Sequence, residues 1–505
     1  RPRRTALVAG GAVAGLLAVG GGVWAAMSFF ASGPQPAEVL PASTVGYLSV
    51  DLDPSGGQKI EAFRMIEKFP AIKKELDGFD ADDDLMAKIF GEIEKECDGL
   101  SYQDDVQPWL GDRYAVAGVD VGEDSPIPVG VLQVTDAAAA DAGLKAMLAC
   151  GGEEAEAGWV VEGEWVVIAE TEELAQQVVD ETAEGTLADD ATYREWMDEV
   201  GEPGVMSMYA SPEAGGLLAE AMAASVAADA ELGPEVPEET IDEVAKVFED
   251  FGGGAGTVRF ADAGLEVVYA ADLPTGGLVA MPMAEGRTLD VVNDLPADTA
   301  FAYGLALPDG WVDTFIEGLS LYGLPEADVE QGIAQLEGET GLQLPEDLET
   351  LLGEQIALSF SGDADLEKMA NSSDTSEVPF GVSVEGDPDA IRSVLDKLTT
   401  AFGYPEMLET QSDGDRIYWS LSDDYRDALI EGGTLGESDS YRAVVPEADR
   451  AAAVMYVDFD AGSWLDSLAE GDQEVADNVE PLSSFGVSSW LEDGTTFGEI
   501  RLTTD

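Results

Sequence analysis

Two patterns of apolar spacing divide this chain. Residues 5–31, TALVAGGAVAGLLAVGGGVWAAMSFFA, hold no charged side chain, whereas from residue 39 onward apolar positions recur in short runs at strand or helix spacing. At 1.5 Å per residue, 27 helical residues reach about 40 Å, more than the ~30 Å hydrocarbon core of a bilayer requires. The first pattern therefore predicts one N-terminal transmembrane helix. Arg1, Arg3 and Arg4 precede it. Basic flanks stay in the cytoplasm, so the N-terminus is expected inside and the body on the extracytoplasmic side of the cell membrane. A cleavable signal peptide competes with this reading, because Ala25, Ala26 and Ala31 supply small residues, but signal cores usually run about 7 to 15 residues. Within the span, Gly11 and Gly15 form a small-xxx-small pair through which two anchors could dimerise, although glycine is also common in such helices for other reasons.

After a spacer at 32–38 (SGPQPAE), the alternation over 45–53 predicts a strand and the DPSGG at 53–57 its turn. Ile60, Phe63, Ile66 and Phe69 then repeat at helical spacing and predict one buried face. Strands are predicted over 114–121 and 129–134, a helix over 137–150, and a hairpin pairing 159–161 with 165–168 around Glu162-Gly163-Glu164. A helix over 172–184, a strand over 205–210 and a hairpin near Phe260 and 267–269 complete the series. GGGAG at 252–256 follows a predicted helix, precedes a strand and lacks the Lys-Ser/Thr pair of a phosphate loop, so it reads as a helix-ending linker.

The series then repeats. LPAST at 40–44 recurs as LPADT at 295–299, and GLSYQDDVQPWLGDRYAV at 99–116 recurs as GLQLPEDLETLLGEQIAL at 341–358. GTLADDATYR at 185–194 recurs as GTLGESDSYR at 433–442, and Tyr209 with Ala214-Gly215 as Tyr456 with Ala461-Gly462. Further hairpins turn at Asp413-Gly414 and Asp493-Gly494. Matches in one order at nearly constant offset predict a tandem duplication, with domains over 39–285 and 286–505 following a cytoplasmic flank (1–4), the anchor (5–31) and the spacer (32–38). The expected fold is α+β, two related domains of mainly antiparallel sheet covered by helices.

Charge narrows the functional classes. With 24 Lys and Arg against 103 Asp and Glu, the chain carries −79 at pH 7, a field that repels nucleic acid, so no nucleic-acid partner is expected. An apolar content of 45% excludes a disordered chain. No histidine is present, which removes Ser-His-Asp and Cys-His nucleophiles, His-ligated zinc and the usual neutral-pH base. The two cysteines, Cys97 and Cys150, are too few for a structural zinc site. In an oxidising compartment they are expected to pair, closing a loop of about 50 residues and stabilising by roughly 3 to 4 kcal/mol; two buried thiols are the alternative. DADDD at 80–84 starts like a calcium loop but has Leu85 and Gly91 where Gly and Glu are needed, and no metal, cofactor or catalytic residue is assigned. Asn371-Ser372-Ser373 is a glycosylation sequon by letter.

One basic patch follows the anchor: Lys59, Arg64, Lys68, Lys73 and Lys74, five bases within 16 residues. It either pairs internally with Asp80, Asp82, Asp83 and Asp84 or docks on an anionic lipid or partner. Trp109 and Arg113 are expected to serve as a core residue and an internally paired cation.

LPASTVGYLSVDLDPSGGQKIEAFRMIEKFP (40–70) and CDGLSYQDDVQPWLGDRYAVA (97–117), after an N-terminal anchor, resemble the actinobacterial domain-of-unknown-function family 3352. The resemblance implies a membrane-anchored, envelope-facing protein with no assigned activity. The expected role is a non-enzymatic binding module for an envelope lipid, wall component or protein partner. A carboxylate- and metal-dependent hydrolase of envelope polymers and a structural assembly protein are the alternatives.

Overall fold

In the computed structural model the described residues are 34–52, 56–75, 90, 97, 99–123, 125–150, 157–219, 246, 248–261, 264–273, 282–318, 326–364, 378–403, 409–462, 464–465 and 473–505. The chain divides into two compact units, Arg1–Ala214 with Gly252–Ala270, and Gly215–Phe251 with Ala271–Asp505. Each is a mixed α+β structure. The segment read as an anchor, with Gly11 and Gly15, lies outside the described residues, as do Asp80 to Asp84 and the sequon at Asn371. Among the described residues no helix is long and apolar enough to cross a membrane.

In the first unit β1 (Thr44–Asp51), β2 (Leu110–Val119), β3 (Ile127–Val134), β4 (Gly158–Glu162), β5 (Trp165–Ala169), β6 (Met206–Ala210), β7 (Gly253–Ala261) and β8 (Gly264–Asp272) lie side by side as β4-β5-β3-β2-β1-β6-β7-β8. In the second, β9 (Thr299–Ala306), β10 (Gln355–Ser361), β11 (Phe380–Glu385), β12 (Thr410–Asp413), β13 (Arg416–Ser420), β14 (Ala453–Asp458), β15 (Leu482–Glu492) and β16 (Thr495–Thr504) lie as β12-β13-β11-β10-β9-β14-β15-β16. Counted from the first strand of each unit, the two orders are the same. So are the antiparallel registers: Ser49 faces Ala115 as Gly304 faces Ala357, and Tyr47 faces Tyr209 as Ala302 faces Tyr456.

The recurring sequence blocks carry recurring bonds. Thr44 Oγ1 donates to the Pro41 carbonyl and Thr299 Oγ1 to that of Pro296, at 2.7 Å in both, while Leu40 and Leu295 are buried beneath. The Leu187 N–H donates to Leu40 O and the Leu435 N–H to Leu295 O. Asp190 caps Tyr193 N at 2.9 Å where Ser438 caps Tyr441 N at 3.2 Å, the acceptor side chains that helix starts prefer. Arg194 Nε and Arg442 Nε donate at 2.9 Å to Ala188 O and Gly436 O. Tyr193 stands edge-on to Tyr209, and Tyr441 to Tyr456, with ring centroids 5.1 Å apart in each pair.

The helices are α1 (Gly56–Glu67), α2 (Ala137–Cys150), α3 (Glu172–Glu181) and α4 (Ala191–Glu199) in the first unit, with α5 (Glu326–Thr340), α6 (Pro388–Phe402), α7 (Asp423–Glu431) and α8 (Asp439–Val444) prominent in the second. Two expectations change. The predicted buried face of α1 fails at Ile60, which is 52% exposed, and holds at Ile66, buried together with Ala62 and Met65. The glycine run at 252–256 is no linker, since Gly253 opens β7 at φ +110, where a Cβ would strike Trp196 Nε1. The spacer is docked from Pro34 onward: Pro36–Glu38 forms a 3-10 turn closed by Gln35 N donating to Glu38 Oε1, with Ala37 at 1% exposure.

Trp109, 1% exposed, fills the core beside Cys97, Tyr102 and Leu144, and its Nε1 donates to Asp105 O at 2.6 Å. Gly143, in the middle of α2, makes the room, for a Cβ there would run into Trp109 Nε1 and the Asp105 carbonyl. Glycine to alanine in a helix ordinarily gains up to ~1 kcal/mol. Gly143→Ala is expected to reverse that sign and lose about 1 to 3 kcal/mol, the usual range for overpacking, read as a lower urea midpoint at unchanged slope.

Candidate functional site

A buried ion pair stands at the junction where the chain enters the first unit. Strands β1 and β2 pair Asp51 with Arg113, and the register brings the two side chains together: Arg113 Nε donates to Asp51 Oδ2 at 2.9 Å, with only 6% of the guanidinium-bearing side chain exposed. Arg113 Nη1 reaches on to the Pro34 carbonyl at 2.9 Å. One buried cation thus ties the incoming chain to the central strands. In the second unit Gln355, two residues after Gly353 as Arg113 is two after Gly111, occupies the same register position. It is 3% exposed, and its Oε1 accepts from Val291 N in the segment leading into that unit.

From Asp51 the chain reaches α1 within five residues. Arg64 is exposed and pairs with Glu61 at 2.7 Å, and Lys68 is half-buried. The side chains of Lys59, Lys73 and Lys74 lie outside the described residues. Cys97 is buried in the Trp109 cluster, and no described cysteine is free; Cys150 ends α2, its side chain outside the described residues.

The second unit has an open recess of about 450 Å³ between the C-terminal end of α5 and α6, lined among others by Glu339, Thr340, Asp396 and Lys397. Lys397 Nζ bonds Asp347 Oδ2 at 2.5 Å, and the Gln343 N–H bonds the same oxygen at 2.6 Å. Desolvation pushes Asp347 up, but these two donors outweigh it and hold the carboxyl below its ordinary value. The matching Asp105 accepts from Ser101 N at 2.8 Å. Both aspartates are therefore caps of a local turn. Elsewhere, Asp458 is buried and accepts from Ser440 Oγ (3.0 Å), Tyr456 OH (2.9 Å) and Asp460 N (3.0 Å), while burial and the carboxyls of Asp505 and Asp458 raise Asp460. Among the described residues no three His, Cys, Asp or Glu side chains are placed to hold a metal ion.

Tyrosines dominate the shifted groups. Burial pushes Tyr193 and Tyr425 up to about 12 and also raises Tyr47, Tyr209, Tyr441 and Tyr456. Such phenols stay protonated at neutral pH and supply no base. Their folded pKa values exceed the unfolded value of 10.0, so their stabilising contribution is complete below pH 10 and is lost as pH rises toward 12. With no histidine to titrate, the melting temperature is expected to stay flat between about pH 6 and 9 and to fall above about pH 10. In Tyr193→Phe that alkaline fall becomes shallower, which calorimetry across the pH series would read.

Sequence reasoning placed Trp109 in the core and Arg113 in an internal pair but did not name Asp51 or Pro34 as its partners. The available signal was the even spacing that puts Asp51 and Arg113 on facing strands. Among solved structures, crystal forms III and I of TP0453 align with 49% of this chain and with 83% and 82% of theirs, at 9% and 8% identity and a TM-score of 0.22 in both. No curated protein is significantly similar to the chain. The profile of DUF3352, described as a protein of unknown function, matches residues 7–398, more than three quarters of the sequence. The chain belongs to the DUF3352 family.

Proposed function

We propose that this is a single-pass membrane protein whose two units stand outside the cell membrane and bind an envelope component without catalysing its conversion. The observation that carries the reading is the uncharged stretch of 27 residues behind Arg1, Arg3 and Arg4, followed at once by a chain docked on the first unit from Pro34 onward. It leaves the body beside the bilayer, with no long tether. The units descend from one ancestral domain by tandem duplication; shared strand order, shared register and the paired threonine, tyrosine and arginine bonds support this. The binding rather than catalytic role is supported by Arg113, Asp347 and the raised tyrosines, which serve as an ion pair, a turn cap and protonated phenols.

The full chain expressed in its host is expected to stay in the membrane pellet through alkaline carbonate extraction; release into the supernatant would overturn the anchor. Native mass spectrometry of the detergent-extracted chain is expected to show a lipid, glycan or protein at fixed stoichiometry, whereas an empty chain would overturn the binding role.

Cys97 and Cys150 are proposed to form a disulfide. Alkylation of the unfolded, unreduced chain is then expected to add no label, and reduction to lower stability by about 2 to 4 kcal/mol in urea titrations.

A further inference from the structure

We infer that the outward face of α1 is a second membrane contact, an interfacial helix that takes anionic lipid headgroups; the inference rests on the anchored reading above. The first observation is which way Ile60 points. At ~100° per residue, Ile60 lies opposite the buried Ala62, Met65 and Ile66, at the crest of the exposed face, with Arg64 one turn on and also exposed. A large aliphatic side chain at the crest of a water-facing helix, with the cation Arg64 beside it as well as exposed Glu67, suits the headgroup boundary, where the apolar group enters and the base reaches phosphate.

The second observation is charge. In a chain of −79, residues 56–75 hold five bases against Glu61, Glu67 and Glu75. Screening limits the reach of an acid to about 8 Å at physiological ionic strength, so charges farther than that from this face act on it only weakly. Arg64 is engaged by Glu61, but exposed pairs of that kind contribute no more than ~1 kcal/mol and yield to a phosphate.

The third is position. Arg113 holds Pro34, where the apolar stretch has just ended, against Asp51, and Gly56 follows Asp51 by five residues, at most about 18 Å of chain. The start of α1 is therefore kept near the point where an anchor would leave the bilayer. Charge complementarity and this proximity select anionic lipid over a soluble acidic partner.

The test uses the full chain reconstituted in lipid nanodiscs of phosphatidylcholine alone or mixed with phosphatidylglycerol, with hydrogen exchange followed peptide by peptide. Amides across 56–69 are expected to exchange at least about fivefold more slowly in the anionic discs, and the double variant Ile60→Ser, Arg64→Ser to lose that difference. Both positions are exposed, and unchanged exchange in β1 and β2 certifies that the variant is folded. Equal exchange of α1 in the two lipid compositions, with the chain still riding on the disc, overturns the docking face alone. A chain that fails to remain with either disc overturns the anchor on which the inference rests.

Discussion

Thr44 and Thr299 turn their hydroxyls back onto the proline carbonyl three residues earlier, and these two turns set where the first strand of each unit begins. In an antiparallel sheet that starting point controls everything downstream, because a slip of one residue exchanges the buried and exposed faces of the whole strand. With Thr44 in place, Tyr47 stands opposite Tyr209; with Thr299 in place, Ala302 stands opposite Tyr456. The same turns anchor the GTL blocks, since Leu187 and Leu435 donate their N–H groups to Leu40 and Leu295. Helices α4 and α8 are thereby placed so that Tyr193 and Tyr441 meet the strand tyrosines edge-on.

The units diverge at the neighbouring position. Gln355 holds its incoming segment with a neutral amide, whereas Arg113 does so with a charge that must itself be neutralised by Asp51. A buried ion pair is weak evidence of net stability, but losing one partner is costly, about 3 to 5 kcal/mol, because an uncompensated charge remains. The first unit thus holds its lead-in by a bond that fails sharply. That is the unit whose lead-in comes directly from the apolar stretch.

Much of this was legible in the sequence, and the exceptions have physical reasons. The hairpins at Gly163, Gly414 and Gly494 follow from turn chemistry, and Asp493 and Gly494 both take positive φ, as a tight two-residue turn requires. Helix α2 runs from Ala137 to Cys150 as its pattern predicts. Ile60 was misread because apolar periodicity reports which residues share a face, and Ile60 at four-residue spacing from exposed Arg64 belongs to the other one. The 252–256 glycines were misread because a glycine needed for close approach inside a strand looks the same as one in a linker; only Trp196 packed over Gly253 distinguishes them. The Arg113 junction was half legible: a lone arginine in a strand implies a partner, but choosing Asp51 among 103 acids takes the register.

That ratio of acids to bases also governs how cations are used. A carboxylate taken from water must be paired or bonded by several donors, and in a chain with 24 bases such pairing is scarce. Glu266 is buried against Arg259, and Glu499 against Arg501. Buried Asp458 has no arginine and is satisfied instead by two hydroxyls and a backbone N–H. Arg416 serves Asp294 and Glu385 together. Among the described residues Arg259 and Arg501 serve inward-drawn acids, while Arg194, Arg392 and Arg426 pair with exposed ones. Exposed pairs of that second kind, Arg64 with Glu61 on α1 and Lys145 with Asp141 on α2 among them, contribute little to stability. The cations whose loss would cost most are therefore the few set against largely buried carboxylates, Arg113, Arg259 and Arg501.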